Sequence, residues 1–294
     1  MQYYIFLTLA VLFWSGNFVF GRLVSSSIEP TELSFYRWFF VLILLLPYIF
    51  IHHKRMINAI KKDSLLLIVF GALGIAGFNT FLYYGLQTTT ATNALLINSS
   101  IPIYIIVLSA VILKTVITKI QTIGVVLSTI GVIYLILKGS FETLRTLEFT
   151  QGDLWIILAC IDWALYSIFL KFKPKEISAF DFLSITTVIG MVMLSLVFVF
   201  QGYSFSFEFV SNDEVLYSLI YMVIFPSILS FYFWNIATVE VGANKAGQFT
   251  HLMPIFGAVL AFFFLGETLE FYHLVGIIFI AIGIYLSMFY KKAA

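Results

Sequence analysis

The chain has 294 residues, 61% of them hydrophobic and only 11% charged, with a formal net charge of +1 and a mean hydropathy of +1.03. A soluble domain carries about 25% charged residues, so too little polar surface exists here to cover a water-facing core, and the near-zero net charge argues against a nucleic-acid partner. The apolar residues come in blocks of about twenty, a length of helix that rises about 30 Å and crosses the hydrocarbon core of a bilayer. They lack the alternating period of a membrane barrel, which leaves an all-α integral membrane protein.

Ten transmembrane helices are predicted, at 3–24, 33–51, 65–87, 91–113, 120–137, 153–171, 180–200, 215–238, 243–265 and 272–290. The first carries no basic leader and no A-x-A cleavage site and is read as a retained span. Of the 16 Lys and Arg residues, twelve fall on one set of alternate connections, against Arg22, Arg37, Lys138 and Arg145 on the other. The positive-inside rule then places both termini in the cytoplasm of a multi-pass protein of the cytoplasmic (plasma) membrane, the cell inner membrane. Cys160 is the single cysteine and lies inside a span, so an intramolecular disulfide is excluded.

In the first span, "FWSGNFVFGR" sets Trp14, Asn17 and Gly21 on one face. Asn17 either bonds a substrate carboxylate or carbonyl or bonds a neighbouring helix, and Arg22 is expected to snorkel to the interface. Arg37, four residues into the second span, bonds a neighbouring carbonyl or Glu32, or presents its charge to an anionic substrate. The third span offers Asn79, Tyr83 and Tyr84 as cavity candidates, although Tyr near a span end commonly anchors at the interface. In the fourth, Asn93, Asn98, Ser99 and Ser100 precede Pro102.

The sixth span, "IILACIDWALYSIFL", carries Asp162 near its middle. A central Asp costs roughly 2.5–3.5 kcal/mol on insertion, and such groups face a bundle interior or a wet cavity. Asp162, Tyr166 and Phe169 share a helical face, predicted to line a central cavity where Asp162 binds a substrate ammonium or carries a proton. The alternative is a structural pair with Lys245, His251 or an Asn. Ser227, Ser230 and Trp234 form a similar face of the eighth span. In the ninth, "GANKAGQFTHLMP", Asn244, Gln248 and His251 form a polar stripe ahead of Pro254. Pro254 deprives the Thr250 carbonyl of its usual partner, which suits a hinge or a binding site. His251 is either a second proton carrier or a satisfied buried imidazole. Gly124 and Gly131 in the fifth span, with Gly276 and Gly283 in the tenth, recur every seven residues on one face and permit close helix packing.

The chain repeats itself. Pro102 meets Pro254 at a shift of 152 residues (254 − 102), and at the same shift Ala91 meets Ala243, Gly124 meets Gly276 and Gly131 meets Gly283. Trp14 and Trp163 correspond at a shift of 149. The units are 1–140 and 141–294, five spans each. Because five is odd, the second unit enters the membrane from the opposite side, giving two inverted five-helix repeats. That architecture belongs to secondary transporters with a site near the midplane.

The motifs "SIEPTELSFYRW", the series Ala91, Pro102, Gly124 and Gly131, and "GANKAGQFTHLMPIFGAVLAFFFLGETL" with Glu267 resemble the EamA-type family of the drug/metabolite transporter superfamily over nearly the whole chain. The resemblance implies a ten-helix, two-repeat fold with a central cavity and export of metabolites or amino acids. Thr115 replaces the glutamate expected near the end of the fourth span, and Ala179 and Thr186 stand where the first repeat has Pro30 and Arg37. Glu267 is therefore read as a packing or helix-end feature. The expected function is a secondary transporter exporting small organic metabolites, amino acids foremost, by alternating access. A membrane channel and a non-transport membrane protein (enzyme or receptor) are the alternatives. No Walker loop is present to couple ATP, and no H-E-x-x-H motif points to a membrane protease. No metal or cofactor is expected; the partners are a small-molecule substrate and the lipid bilayer, with the chain a monomer or homodimer.

Overall fold

The structure is a computed structural model and describes residues 1–140, 142, 148–265 and 270–289. The readings made above for Arg145 and Glu267 lie outside the described residues. Those residues form helices and connections, with no strand among them. In chain order they are α1 (Gln2–Leu23), α2 (Pro30–Phe70), a π-helix (Gly71–Gly77), α3 (Phe78–Thr88), α4 (Ala91–Asn98), α5 (Ile101–Ile112), α6 (Lys119–Ile136) and α7 (Gln151–Phe169). There follow α8 (Ala179–Phe200), α9 (Asp213–Met222), a second π-helix (Val223–Leu229), α10 (Ser230–Val241), α11 (Ala243–Gln248), a 3₁₀ turn (Phe249–Leu252), α12 (Met253–Leu265) and α13 (Phe271–Phe289). Eight helical runs among the described residues are long and apolar enough to cross a membrane.

One of those runs, Pro30–Thr88, is 59 residues long. At 1.5 Å per residue it would extend roughly 90 Å, about three hydrocarbon thicknesses, so it is more than one pass. The backbone breaks at Asp63, which leaves the helical region at φ −124° and ψ 34°. The sequence reading placed a loop at 52–64, whereas these residues are helical up to that kink. The segment "HHKRMINAIKK" holds no Gly or Pro and is rich in helix formers, so the helix continues past the apolar block and exposes its charges. Its end is tied down by Lys62 to Glu176 (2.5 Å) and by Arg55 to Asp181 (2.7 Å). Asp181 also closes a capping box with Ser178 at the start of α8. Boxes of the same kind, Thr118 with Gln121 and Thr150 with Asp153, start α6 and α7.

Large apolar side chains face outward along the helices, among them Leu44, Phe50, Ile51, Val111, Val199 and Phe200. A water-soluble surface does not tolerate such a belt; lipid does. Polar and charged groups are instead packed inside, including Arg37, Asp162, Gln248 and His251.

Six of the helix pairings share one relationship. α1 packs on α10 and α3 on α7; α5 packs on α7 and α12 on α1; α2 packs on α8, and α6 on α13. Exchanging each helix for its counterpart 149–152 residues away converts every one of these pairs into another or into itself. The two π-helices obey the same register, since Gly71–Gly77 and Val223–Leu229 begin 152 residues apart (223 − 71). The breaks ahead of the prolines also match: α5 begins at Ile101 and α12 at Met253.

The tightest crossing is that of α6 and α13. A Cβ on Gly124 would lie 2.5 Å from the Gly283 carbonyl oxygen, and a Cβ on Gly283 would lie 2.5 Å from that of Gly124. Gly131 and Gly276 oppose each other in the same way. All four glycines singled out in the sequence meet at this one contact, where two backbones touch.

Candidate functional site

Three tryptophans occupy the middle of the bundle. The Trp14 and Trp163 rings meet edge to face with centroids 4.8 Å apart, and Trp234 lies 5.1 Å from Trp14 and 5.6 Å from Trp163. Two of the three indole N–H groups have partners in neighbouring helices: Trp14 Nε1 donates to the Pro226 carbonyl (2.9 Å) and Trp234 Nε1 to Ser167 Oγ (3.3 Å). The Pro226 carbonyl is available because that residue sits in a π-helix, where the regular bonding pattern is displaced. Ser230 donates to the Ala10 carbonyl and so fastens α10 to α1.

Asp162 is buried beside these rings, 8% exposed. Its Oδ1 lies against Gly77, where an added Cβ would approach to 2.5 Å, and the carboxylate sits beside the Phe78 backbone N–H. Its Oδ2 has no hydrogen-bond partner among the described residues. The pair with Lys245, His251 or an Asn considered from the sequence is not formed. Tyr166 donates to Asn235 Oδ1 (2.7 Å) and lays its ring on Gly74. Phe169, expected on the same face, instead lines a surface cleft with Lys62, Leu66 and Phe172. Phe169 is the last residue of α7, seven residues and so roughly 10 Å along the axis from Asp162.

Arg37 is fully buried. Its Nε donates to Ser227 Oγ (2.6 Å), and Nη1 lies within bonding distance of Asn17 Oδ1 (3.0 Å), Asn79 Oδ1 (2.8 Å) and Tyr83 Oη (2.6 Å). Tyr83 also donates to Asn17 (3.1 Å). The Glu32 contact expected from the sequence is absent; every partner of Arg37 is neutral. Tyr83 is accordingly no interfacial anchor, whereas Tyr84 bonds Thr31 and Gln201 near the outer rim. Arg22 does reach the periphery, where it caps the end of α3 through the Leu86 carbonyl (2.6 Å).

The broken helices supply the remaining polar groups. Asn98 reaches Met253 Sδ at 3.2 Å. Gln248 is buried, with neither side-chain atom bonded, and Asn244 Oδ1 is likewise unpartnered. His251 lies within the 3₁₀ turn Phe249–Leu252 and, unlike these two, has both ring nitrogens engaged. His251 Nε2 donates to the Ser99 carbonyl (2.9 Å) and Nδ1 lies 2.8 Å from Ser128 Oγ. This is the satisfied imidazole, joining α6, α12 and the turn between α4 and α5.

Trp14, Asn17, Asn98, Trp163, Thr250 and Met253 enclose a space of only about 10 Å³, room for one water at most. The bundle is closed at its centre. The sequence reading found most of the polar groups there but gave Arg37 the wrong partner and did not anticipate Asn235 or the two π-helices. The signal for the first π-helix was "GALGIAG", and for the second Pro226 within an apolar run.

The molecule is thus a multi-pass, all-helical membrane protein whose buried polar groups converge on its centre. The chain belongs to the EamA-like transporter family, which matches residues 1–137 and 150–289, within the drug/metabolite transporter superfamily. It is similar to the uncharacterized transporter YyaM of Bacillus subtilis, 28% identical over 97% of this chain and 92% of the relative. It is also similar to the S-adenosylmethionine uptake transporter of Rickettsia felis, 25% identical over 86% of this chain and 81% of the relative. A solved crystal structure matches it with a TM-score of 0.71 over 96% of this chain and 94% of that one, at 15% identity, a likeness of fold alone. Family and relatives are named as transporters rather than enzymes.

Proposed function

We propose that the chain is a secondary transporter of small amphipathic organic metabolites, amino acids foremost, which it exports across the cytoplasmic membrane by alternating access. In this reading ten spans form two inverted five-helix repeats, 1–140 and 141–294, with both termini cytoplasmic. The observation that carries it is the exchange rule in helix pairing. Two similar halves can trade conformations, and the site between them then opens to the other side. The matching registers of the π-helices and of the proline breaks support the same duplication. Asp162, buried with a free oxygen beside Gly77 and the Phe78 N–H, supports a site that takes a substrate ammonium or a proton. The other residues of the proposed site are Trp14, Asn17, Asn79, Tyr83, Asn98, Tyr166, Ser230, Trp234, Asn244 and Gln248, with Pro102 and Pro254 as the proposed hinges. Because His251 has both ring nitrogens engaged, the proton-carrying role is assigned to Asp162 in preference.

The test is flux into proteoliposomes. Saturable uptake of labelled amino acids, accelerated by unlabelled solute on the opposite side, is the expected result. Non-saturating flux would indicate a channel, and no flux a receptor or enzyme. The name of the Rickettsia relative supports a second reading, uptake of S-adenosylmethionine, which the same vesicles distinguish by competition.

A further inference from the structure

We propose that Arg37 is the binding point for the carboxylate of the transported solute, which makes the site selective for zwitterions. The proposal rests on the transport reading above and deepens it.

A guanidinium offers five N–H donors in a rigid fork and does not lose its charge in proteins. In Arg37 the Nε and Nη1 donors are held by Ser227, Asn17, Asn79 and Tyr83. Nη2, with two N–H groups, has no partner among the described residues and is sealed from solvent. Neither ion pair among the described residues involves Arg37. A buried cation without a counter-charge is strongly unfavourable. A packing role would be served as well by an apolar side chain of similar volume. The neutral acceptors hold the fork in one orientation and leave its net charge uncancelled.

The neighbouring free group is also a donor. Asn79 accepts from Arg37 through Oδ1, and its Nδ2 is buried with no partner. The two adjoining side chains thus both hold unused N–H groups, the complement of a carboxylate, with charge-assisted bonds available from Arg37. In the chain, Asn79 directly follows Phe78, whose backbone N–H lies beside Asp162, and the free Oδ2 of Asp162 is an acceptor. A free donor on α3 and a free acceptor on α7 are thus linked through the Phe78–Asn79 step, the two kinds of group that the carboxylate and ammonium of an amino-acid head group require. The space is closed in this structure, so the solute enters as the halves separate.

The experiment compares L-phenylalanine with L-phenylalaninamide and phenethylamine, and the same series built on leucine, in proteoliposome uptake and counterflow. The wild type is expected to carry the free amino acid at least tenfold better than its amide. Arg37→Gln should collapse the preference for the amino acid over its amide at least tenfold, and Arg37→Lys should restore part of it. Wild-type protein that carries the amide or the amine as well as the acid overturns the proposal and leaves the transport reading standing; this comparison needs no variant to fold. Arg37→Gln that elutes as wild type and keeps the preference overturns it as well. Absence of saturable flux for every solute overturns both.

Discussion

His251 and Ser99 stand 152 residues apart, the separation of Pro102 from Pro254, and they touch: the imidazole Nε2 donates to the Ser99 carbonyl at 2.9 Å. Trp14 and Trp163, which correspond at a shift of 149, also meet. Under the proposed duplication a residue contacts its own counterpart only close to the axis that exchanges the halves. These two contacts locate it, with aromatic rings at one point and a hydrogen bond at the other.

His251 is therefore expected to act on stability rather than on proton coupling. His251→Ala removes the imidazole donor to the buried Ser99 carbonyl, a loss of about 1–3 kcal/mol, while Ser128 Oγ keeps the Gly124 and Val125 carbonyls. The melting midpoint in detergent should fall, while His251→Gln should keep the wild-type pH profile of flux. A profile altered by His251→Gln would return this residue to the list of proton carriers.

The glycine crossing is testable by adding single methyl groups. Gly124→Ala and Gly283→Ala each place a Cβ about 2.5 Å from opposing backbone, where no side chain can yield. Overpacking of this kind destabilises by about 1–3 kcal/mol, read as a lower midpoint. Gly257→Ala is the control, because nothing lies within 4 Å of its added Cβ, and it should leave the midpoint unchanged or raise it.

Asp162→Asn preserves the shape of the side chain and removes its charge and its proton. The protein should elute and melt as the wild type, since no ion pair is broken, while flux falls at least tenfold or loses its dependence on pH. Unchanged kinetics across pH in this variant would remove Asp162 from the mechanism.

Inversion is checked by labelling. In a Cys160→Ser background, Gln2→Cys near the start of α1 and Gln151→Cys at the start of α7 should react with an impermeant maleimide from opposite sides of the membrane. Lys175→Cys should react from the side of Gln2→Cys, and Ser211→Cys from the side of Gln151→Cys. Labelling of Gln2→Cys and Gln151→Cys from one side would show parallel halves.

Much of this was legible because a polar residue inside an apolar block stands out. Asn17, Asn79, Asn98 and Asp162 were all visible for that reason, and the glycine spacing marked α6 and α13 as closely packing helices without naming them as partners. The partners of Arg37 were not legible. They lie 20, 42, 46 and 190 residues away, and hydropathy shows which residues are buried without showing which faces meet. The run from His52 to Asp63 was read as a loop because charge marks exposure to water and says nothing of backbone form. A π-helix leaves hydropathy unchanged, since one extra residue per turn alters the direction of side chains and not their chemistry.

That extra residue has a mechanical consequence. A wide turn relaxing to ordinary α geometry swings everything beyond it by about 100°, the angle of one residue, and only a few backbone bonds need to change partner. Beyond one wide turn lie Asn79 and Tyr83; beyond the other, Ser230 and Trp234. Each half thus holds a spare notch of winding next to the central rings, a built-in swivel that can turn those side chains toward or away from a guest without unravelling the helix.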